Sequence, residues 1–351
     1  MDLSKAFDTI SHDLLVAKLS AYGVKDQALK VIMSYFWNRY QRTKVNEEFS
    51  TWEELLTGVP EGSVLGPLLF NIYLNDLLYT VEKTDICNFA DDTTPYANGY
   101  NVKEVMSDVE HDCNILVEWF RIKYMTLNVA KCHLLVSGMK DEAMFAKFDG
   151  TTIWEEDSVK LLGLIIDSDL SFNSHIKMIC KKKASKELTA ILRISPFISQ
   201  KKRRVLMRTF FESQFNYCPL LWMFCDRTAN GKINKLHERA LRIAYNDYSS
   251  SFKELLVKDD TVTIHERNLR TLATEMYKIN HSLSPKFMND LVTVTDNSHC
   301  TRSNFNVKLE KDGSTVCTEK SNYRASKPNT VSFGLNSIKW LEPKIWSLFS
   351  R

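Results

Sequence analysis

Residues 85–97 read DICNFADDTTPYA, and this stretch decides how the first half of the chain is interpreted. Apolar and β-prone residues on both sides of Asp91 and Asp92 predict two short strands, 85–90 and 93–97, joined by a tight turn. Two adjoining ionised carboxylates in a partly buried turn repel each other unless a cation compensates for their charge. The stretch therefore indicates either a metal-binding turn or an ordinary exposed Asp-Asp turn, and the residues alone leave both open.

Hydrophobic periodicity extends this interpretation in both directions along the chain. Downstream, residues 102–124 carry one apolar stripe at helical spacing, which predicts a helix packed on a sheet. Upstream, residues 42–45 and 49–56 predict a hairpin, and Pro67 suits the first turn of a helix over 66–81. Further helices are predicted at 14–22, 28–40, 174–194, 200–217, 232–245 and 264–281, further strands at 134–137 and 159–167, and loops over 283–330.

These elements predict an α+β fold. A small antiparallel sheet covered by helices is expected in residues 1–167, followed by a helical remainder. We expect three parts: a sheet domain at 1–167, a basic helical region at 168–250, and a C-terminal helical region with loops at 251–351.

Composition is that of an ordinary globular protein, with 44% hydrophobic and 25% charged residues. The eight cysteines form no C-x-x-C pair, no signal-peptide pattern precedes them, and no run of about 18 apolar residues occurs. We therefore expect reduced thiols and an intracellular location, nuclear or cytoplasmic. Cys218, Cys225 and His237 lack the paired spacing of a zinc site, so buried thiols are the preferred interpretation.

Charge is distributed unevenly although the net charge is only +3. Residues 177–208 contain eleven Lys or Arg residues against one acid, Glu187. Such a block is typical either of a solvated helix face or of a surface that contacts nucleic-acid phosphates.

Five motifs in order along residues 1–167 resemble those of reverse transcriptases of non-long-terminal-repeat retrotransposons, in particular jockey-like animal elements. DLSKAFD at 2–8 resembles the first palm motif, GVPEGSVLGPLLF at 58–70 the second, and FADD at 89–92 the third. LNVAKC at 127–132 resembles the fourth motif and LLGL at 161–164 the fifth. FNYCPLLW at 215–222 and KLHERA at 235–240 are similar to the region that follows the palm in jockey-like elements.

The resemblance implies an RNA-directed DNA polymerase that uses two Mg²⁺ ions, with Mn²⁺ as a substitute. Asp2, Asp91 and Asp92 would be the catalytic residues and metal ligands. An RNA template, a DNA primer and deoxynucleoside triphosphates would be its partners, and no membrane is implied.

The remaining motif residues are expected to bind the substrates. Phe7 would exclude a ribose 2′-hydroxyl, although plain core packing explains the ring equally well. Gly62 would let the backbone approach the nucleotide, or is an ordinary turn glycine. Lys131 would attract or protonate pyrophosphate, or is simply an exposed lysine. Leu162 and Gly163 would grip the primer end.

A helical thumb follows the palm in this family, and its basic side chains would contact the duplex. The residues proposed for this contact are Lys181, Lys182, Lys183, Lys201, Lys202, Arg203 and Arg204.

Two departures from the family pattern bear on activity. Glu61 stands where the family often has glutamine, and an ionised carboxylate near a triphosphate donates no hydrogen bond. The fingers that precede the first motif in the family would lie before Met1, so we expect a truncated copy with weak or no activity by itself.

Two alternatives stay open at this stage. One is a catalytically silent nucleic-acid-binding remnant whose aspartates are relics. The other is an RNA-dependent RNA polymerase with the same palm, against which the Phe7 ring and the 60–70 motif argue.

Overall fold

The structure is a computed structural model that describes residues 1–60, 62–138, 142–286 and 288, together with the backbone of two strands at 305–309 and 315–319. The chain divides into two compact units, Met1–Val159 and Lys160–Arg351. Helices combine with small antiparallel strand pairs, which confirms the predicted α+β class. Within the described residues, every helix is too short or too polar to cross a bilayer.

Four α-helices form most of the first unit: α1 (His12–Ala21), α2 (Asp26–Phe36), α3 (Gly66–Leu74) and α4 (Val102–Ile122). A 3₁₀ turn, Asn75–Tyr79, follows α3, so the apolar run predicted as one helix changes pitch after its first two turns. Pro67 lies in the first turn of α3, where a missing backbone N–H costs nothing. The predicted stripe of α4 is buried at Met106, Cys113 and Leu116, which confirms its core-facing role.

The strands of the first unit are short and pair as hairpins or across long sequence separations. In chain order they are β1 (Leu3–Ser4), β2 (Tyr40–Gln41), β3 (Lys44–Val45), β4 (Glu48–Phe49), β5 (Glu53–Glu54), β6 (Asp85–Phe89), β7 (Asp92–Tyr96), β8 (Thr126–Leu127), β9 (Phe145–Phe148) and β10 (Thr151–Trp154). The β6–β7 hairpin was predicted, and so was a hairpin with strands at 42–45 and 49–56, which the structure shows as the pairs β3–β4 and β2–β5 over residues 40–54. The β9–β10 hairpin was not, although its Asp149-Gly150 turn, with both residues at positive φ, is a strong hairpin signal.

The buried carboxylate of Asp112 on α4 fixes the chain just before β6. It accepts hydrogen bonds from the backbone N–H groups of Glu82, Lys83 and Thr84 and from the Thr84 hydroxyl, at 2.7–3.3 Å. Burial pushes the pKa of Asp112 upward, but these donors favour the charged form more strongly and lower it overall. Through Asp112, helix α4 therefore anchors the segment that leads into β6, the first strand of the β6–β7 hairpin.

The second unit is mainly helical. After the hairpin β11 (Ser158–Leu161) and β12 (Leu164–Asp167) come α5 (Asn173–Met178), α6 (Ser185–Ile194), α7 (Gln200–Leu206), α8 (Pro219–Trp222), α9 (Arg227–Tyr245), α10 (Phe252–Lys258) and α11 (Ile264–Asn280). π-Helical segments Ile179–Ala184 and Met207–Phe211 interrupt the two helices predicted over 174–194 and 200–217. A separate apolar core, which includes Leu188, Phe211 and Leu241, supports this unit.

Three strand predictions need correction. Residues 159–167 do not form one continuous strand, because Leu162 and Gly163 take positive φ values and turn the chain back as a hairpin. Residues 134–137 form no strand; Leu134 makes only an isolated bridge to Glu155. Strands β13 (Phe305–Leu309) and β14 (Thr315–Glu319) pair within the 283–330 stretch where loops were expected.

Candidate catalytic site

The N-terminal segment brings Asp2 to the Asp91-Asp92 hairpin by forming a strand between β7 and β8. On one side, Met1 and Thr93 exchange backbone hydrogen bonds of 2.7 and 3.2 Å. On the other side, Leu3 pairs with Leu127, and the Asn128 N–H donates to the Asp2 carbonyl at 2.9 Å. Backbone hydrogen bonds therefore join the N-terminal segment to residues about 90 and 125 positions away in the sequence, in the β6–β7 hairpin and at β8.

The turn that carries Asp91 is a two-residue loop. Phe89 pairs with Asp92, so Ala90 and Asp91 alone connect the strands, and Ala90 adopts φ +52°. A non-glycine residue in this region costs about 1–2 kcal/mol. The Asn88 side chain offsets part of that cost, because its amide donates to the Ala90 carbonyl at 3.1 Å and its oxygen accepts from the Thr93 hydroxyl at 2.7 Å. Strain maintained in this way is common at functional turns.

The environment of the Asp92 carboxylate disfavours its charged form. Burial raises the pKa of Asp92, and the negative charges of Asp91 and Asp2 raise it further. The Asp2 Oδ2 atom is buried and has no hydrogen-bond partner; the Lys131 ammonium is 3.6 Å away, beyond hydrogen-bond distance. The Asp2 oxygen thus has an ion pair with Lys131 but no hydrogen bond, and a buried carboxylate oxygen in that state near two further carboxylates suits a bound cation.

The described residues contain no group of three or more His, Cys, Asp or Glu side chains already arranged around one point as a metal site. The negative charges of Asp91 and Asp2 both act on the Asp92 carboxylate, so the three side chains lie in one neighbourhood without converging on one point. Because Mg²⁺ takes only one or two protein carboxylates and completes its shell with water and phosphate oxygens, this donor set fits the metal.

The second motif is fastened to the turn that follows Asp2. The Val59 N–H donates to the Phe7 carbonyl at 2.9 Å, and the Gly58 N–H donates to the Ile10 carbonyl at 2.8 Å. The half-buried Phe7 ring stacks on Phe70 of α3, with centroids 4.4 Å apart. One face of the Phe7 ring therefore packs on the core. This contact is compatible both with core packing and with the predicted exclusion of a ribose 2′-hydroxyl.

Two residues that support this site had no predicted role. A Cβ atom on Gly58 would lie 2.9 Å from the Asp8 Cα, and Gly58 has φ +87°, so only glycine fits. The buried His12 ring contacts the Gly58 carbonyl through Nε2 at 2.7 Å and stacks on Phe36. The position of Gly58 within the second motif was a usable signal, whereas nothing in the sequence singled out His12.

Gly62 also has a positive φ, +73°, but among the described residues no atom lies within 4 Å of where its Cβ would stand. The space beside it is open, as the predicted nucleotide approach requires. Glu61 lies outside the described residues. Lys131 is exposed and beside Asp2, which suits its predicted role without testing it.

The predicted primer-binding residues belong to the second unit. Leu162 and Gly163 form the β11–β12 turn, and the Tyr217 hydroxyl donates a hydrogen bond to the Leu162 carbonyl. The Tyr217 ring also lies 3.6 Å from the Cβ position of Gly163. Tyr217, which sequence reasoning assigned no role, fixes the conformation of this turn.

The basic residues predicted to bind nucleic acid divide into two groups. Lys181, Lys183, Lys201 and Lys202 are exposed, and the Lys182 side chain lies outside the described residues. Arg203 instead donates to the Ala244, Ser195 and Ile198 carbonyls at 3.0–3.1 Å, and Arg204 pairs with the fully buried Asp259 at 2.6 Å. These two guanidinium groups stabilise the fold, and a phosphate contact by either remains a prediction.

Comparison with known proteins agrees with the motif analysis. The family model for reverse transcriptase (RNA-dependent DNA polymerase) matches residues 1–166. A probable RNA-directed DNA polymerase from transposon BS of Drosophila melanogaster is 23% identical over 261 residues, which cover 69% of this chain and 28% of that protein. Since 69% of the chain exceeds the part matched by the family model, this similarity continues into the second unit.

Other relatives belong to the same group of elements. The RNA-directed DNA polymerase from mobile element jockey of Drosophila melanogaster is 25% identical over 50% of this chain and 20% of that protein. The Pol polyprotein from the type-1 retrotransposable element R2 of Popillia japonica is 30% identical over 38% of this chain and 23% of that protein. The matched regions span 20–28% of these relatives' lengths. The motif resemblance is confirmed: residues 1–166 match the reverse transcriptase family, and the chain is similar to the RNA-directed DNA polymerases of non-long-terminal-repeat retrotransposons such as jockey and R2.

Proposed function

We propose that this chain catalyses RNA-templated addition of deoxynucleotides to a primer, at a low rate by itself, with Asp2, Asp91 and Asp92 as the metal-binding carboxylates. The observation that carries the proposal is the placement of the Asp2 strand between β7 and β8, next to the β6–β7 hairpin. It brings together carboxylates from distant parts of the sequence and leaves one buried Asp2 oxygen without a hydrogen-bond partner. A sheet built only for stability gains nothing from such a cluster.

Two Mg²⁺ ions bound there would activate the primer hydroxyl and neutralise the leaving pyrophosphate. The protein's own part is to hold the carboxylates in position: the Asn88–Thr93 pair braces the turn, and the pairing of Leu3 with Leu127 places Asp2. Lys131, whose ammonium lies beside Asp2, is positioned to attract the pyrophosphate charge.

In this proposal, selection of deoxynucleotides over ribonucleotides depends on the contacts between the second motif and the segment that carries Phe7. The Phe7 ring rests on Phe70 and cannot retreat into the core, so an added 2′-hydroxyl above it would collide. The open space beside Gly62 allows the backbone to approach the nucleotide.

A primer-extension assay with the full chain, an RNA template, a DNA primer and Mg²⁺ or Mn²⁺ tests the proposal. Asp2→Asn, Asp91→Asn and Asp92→Asn should each lower the extension rate by at least about 100-fold, since a weakened cation site costs several kcal/mol of barrier. Asp85→Asn is the matched control, because Asp85 is an exposed carboxylate at the far end of the same hairpin. Extension that persists in the three site variants would refute the assignment.

The exposed lysines of the second unit favour one second candidate, a protein that binds nucleic acid without catalysis. In that case the wild-type chain binds a primer–template duplex but extends no primer with either cation. Under this second candidate, the wild type and Asp92→Asn should bind the duplex with equal affinity, and neither should synthesise DNA.

A further inference from the structure

An exposed hairpin between α2 and the second motif carries aromatic rings that are not buried in the core. It spans residues 39–55, with β2 paired to β5, β3 paired to β4, and the Leu55 N–H bonded to the Arg39 carbonyl at 2.8 Å. Its three rings, Tyr40, Phe49 and Trp52, are all exposed, and Trp52 is 60% exposed. We call this segment the aromatic hairpin.

Two rings and two cations of the aromatic hairpin share one face. Lys44 pairs with Phe49, and its ammonium lies 5.1 Å from that ring's centroid. The Arg42 guanidinium lies 3.9 Å from the Phe49 centroid and 4.6 Å from the Trp52 ring. Arg42, Lys44, Phe49 and Trp52 therefore form one cluster of cations and rings.

The acids of the hairpin are mostly directed elsewhere. Glu48 pairs with Val45, which places it on the face of the β3–β4 pair opposite to Phe49, and the Glu53 carboxylate accepts a hydrogen bond from the Thr51 hydroxyl at 3.1 Å. Glu54, opposite Tyr40, is the acid at the base of the aromatic face. Glu47 is exposed in the turn between β3 and β4, so the cluster of Arg42, Lys44, Phe49 and Trp52 has acids at both ends of the hairpin but none among its rings and cations.

Rings alternating with cations match one class of ligand. Unpaired bases stack on exposed aromatic rings while Arg and Lys side chains neutralise the adjoining phosphates. An apolar protein partner would have to desolvate Arg42 and Lys44 without compensating them. We propose that the aromatic hairpin binds single-stranded nucleic acid, namely the unpaired part of the template.

Both ends of the hairpin are tied to the segment that follows Asp2 and Phe7. At the outgoing end, the Thr57 hydroxyl donates to the Asp8 carbonyl at 2.8 Å, and Thr57 forms a bridge with Ser11. At the incoming end, Phe36 stacks on His12 with centroids 4.7 Å apart. A strand bound along the hairpin would therefore be led toward the proposed catalytic site, and this part of the inference rests on the proposed function.

Binding can be measured by fluorescence anisotropy with the full chain and a labelled single-stranded RNA of about ten nucleotides, without Mg²⁺ or nucleotide. Trp52→Ala should weaken binding by roughly tenfold, the loss expected for one stacked base. Trp52→Phe keeps a ring and should retain most of the affinity. Affinity for an RNA duplex of equal length should change by less than about twofold, since paired bases cannot stack on the hairpin.

Trp154→Ala is the matched control. Trp154 is 58% exposed, lies on the β9–β10 hairpin of the same unit, and contacts the Phe145 ring 5.1 Å away. Equal losses for Trp52→Ala and Trp154→Ala, or no loss for Trp52→Ala, would overturn the proposal. Lys44→Gln should reduce the logarithmic salt dependence of binding by about 0.7, the contribution of one phosphate contact, and an unchanged slope would count against it.

The primer-extension assay separates this inference from the proposed function. RNA binding that depends on Trp52 in a chain that extends no primer leaves the hairpin assignment standing and removes the polymerase assignment. If the chain extends a primer and Trp52→Ala binds RNA as tightly as the wild type, the polymerase assignment stands and the hairpin assignment is removed.

Discussion

Replacing Gly58 by alanine should destabilise the first unit far more than the same change at Gly62. Both glycines adopt positive φ values, +87° and +73°, so each alanine variant bears a backbone cost of about 1–2 kcal/mol. At Gly58 the new Cβ would also lie 2.9 Å from the Cα and 3.0 Å from the carbonyl oxygen of Asp8. These are backbone atoms held by the Thr57 hydroxyl, so relief requires movement of the whole turn.

Overpacking of that kind adds about 1–3 kcal/mol, which brings the expected loss for Gly58→Ala to about 3 kcal/mol and that for Gly62→Ala to about 1 kcal/mol. Urea denaturation followed by tryptophan fluorescence, with each unit's transition fitted separately, measures the two free energies. The rate of primer extension should fall more in Gly62→Ala than in Gly58→Ala, because the open space beside Gly62 is where the nucleotide is proposed to approach. Equal stability losses in the two variants would refute the argument that the second motif is packed against Asp8.

Two further predictions concern the second unit. His237 is fully buried, and burial together with the positive charge of Arg267 lowers its pKa from 6.5 to about 4. The unfolded chain then binds a proton that the folded chain does not, so stability should be constant above pH 6.5 and fall by about 3 kcal/mol as pH drops to about 4. His237→Leu should flatten that slope in urea titrations, whereas the surface variant His281→Leu should leave it intact; a slope that survives in His237→Leu would contradict the assignment. In the basic block, Lys202→Gln should weaken binding of an RNA–DNA duplex with little change in stability, while Arg203→Gln should cost about 2 kcal/mol of stability because three carbonyls lose a donor. The assignment would be wrong if Lys202→Gln lowered the free energy of unfolding and Arg203→Gln weakened duplex binding measured by anisotropy.

Local patterns identified those features whose causes lie close together in the sequence. The β6–β7 hairpin follows from β-prone residues around a tight turn, and α4 follows from its single apolar stripe, so both were predicted at nearly their observed bounds. The Asp149-Gly150 turn carried the same kind of signal and was available to the same reasoning. Residues 159–167 misled because their continuous apolar run hides the turn at Leu162 and Gly163, whose positive φ values depend on support from Tyr217.

The sequence by itself determined the resemblance to reverse transcriptases and the order of the motifs, and it predicted the three carboxylates, because these depend on residue type and spacing alone. Only the tertiary structure placed Asp2 between β7 and β8, tied Gly58 to Asp8, and committed Arg203 to internal carbonyls. Each of these contacts joins residues far apart in the chain, and a side chain's partner is set by which backbone groups the packed core leaves within reach. A run of charge or a pair of aspartates specifies the available chemistry, and the fold decides which of those groups serve the site and which stabilise the protein.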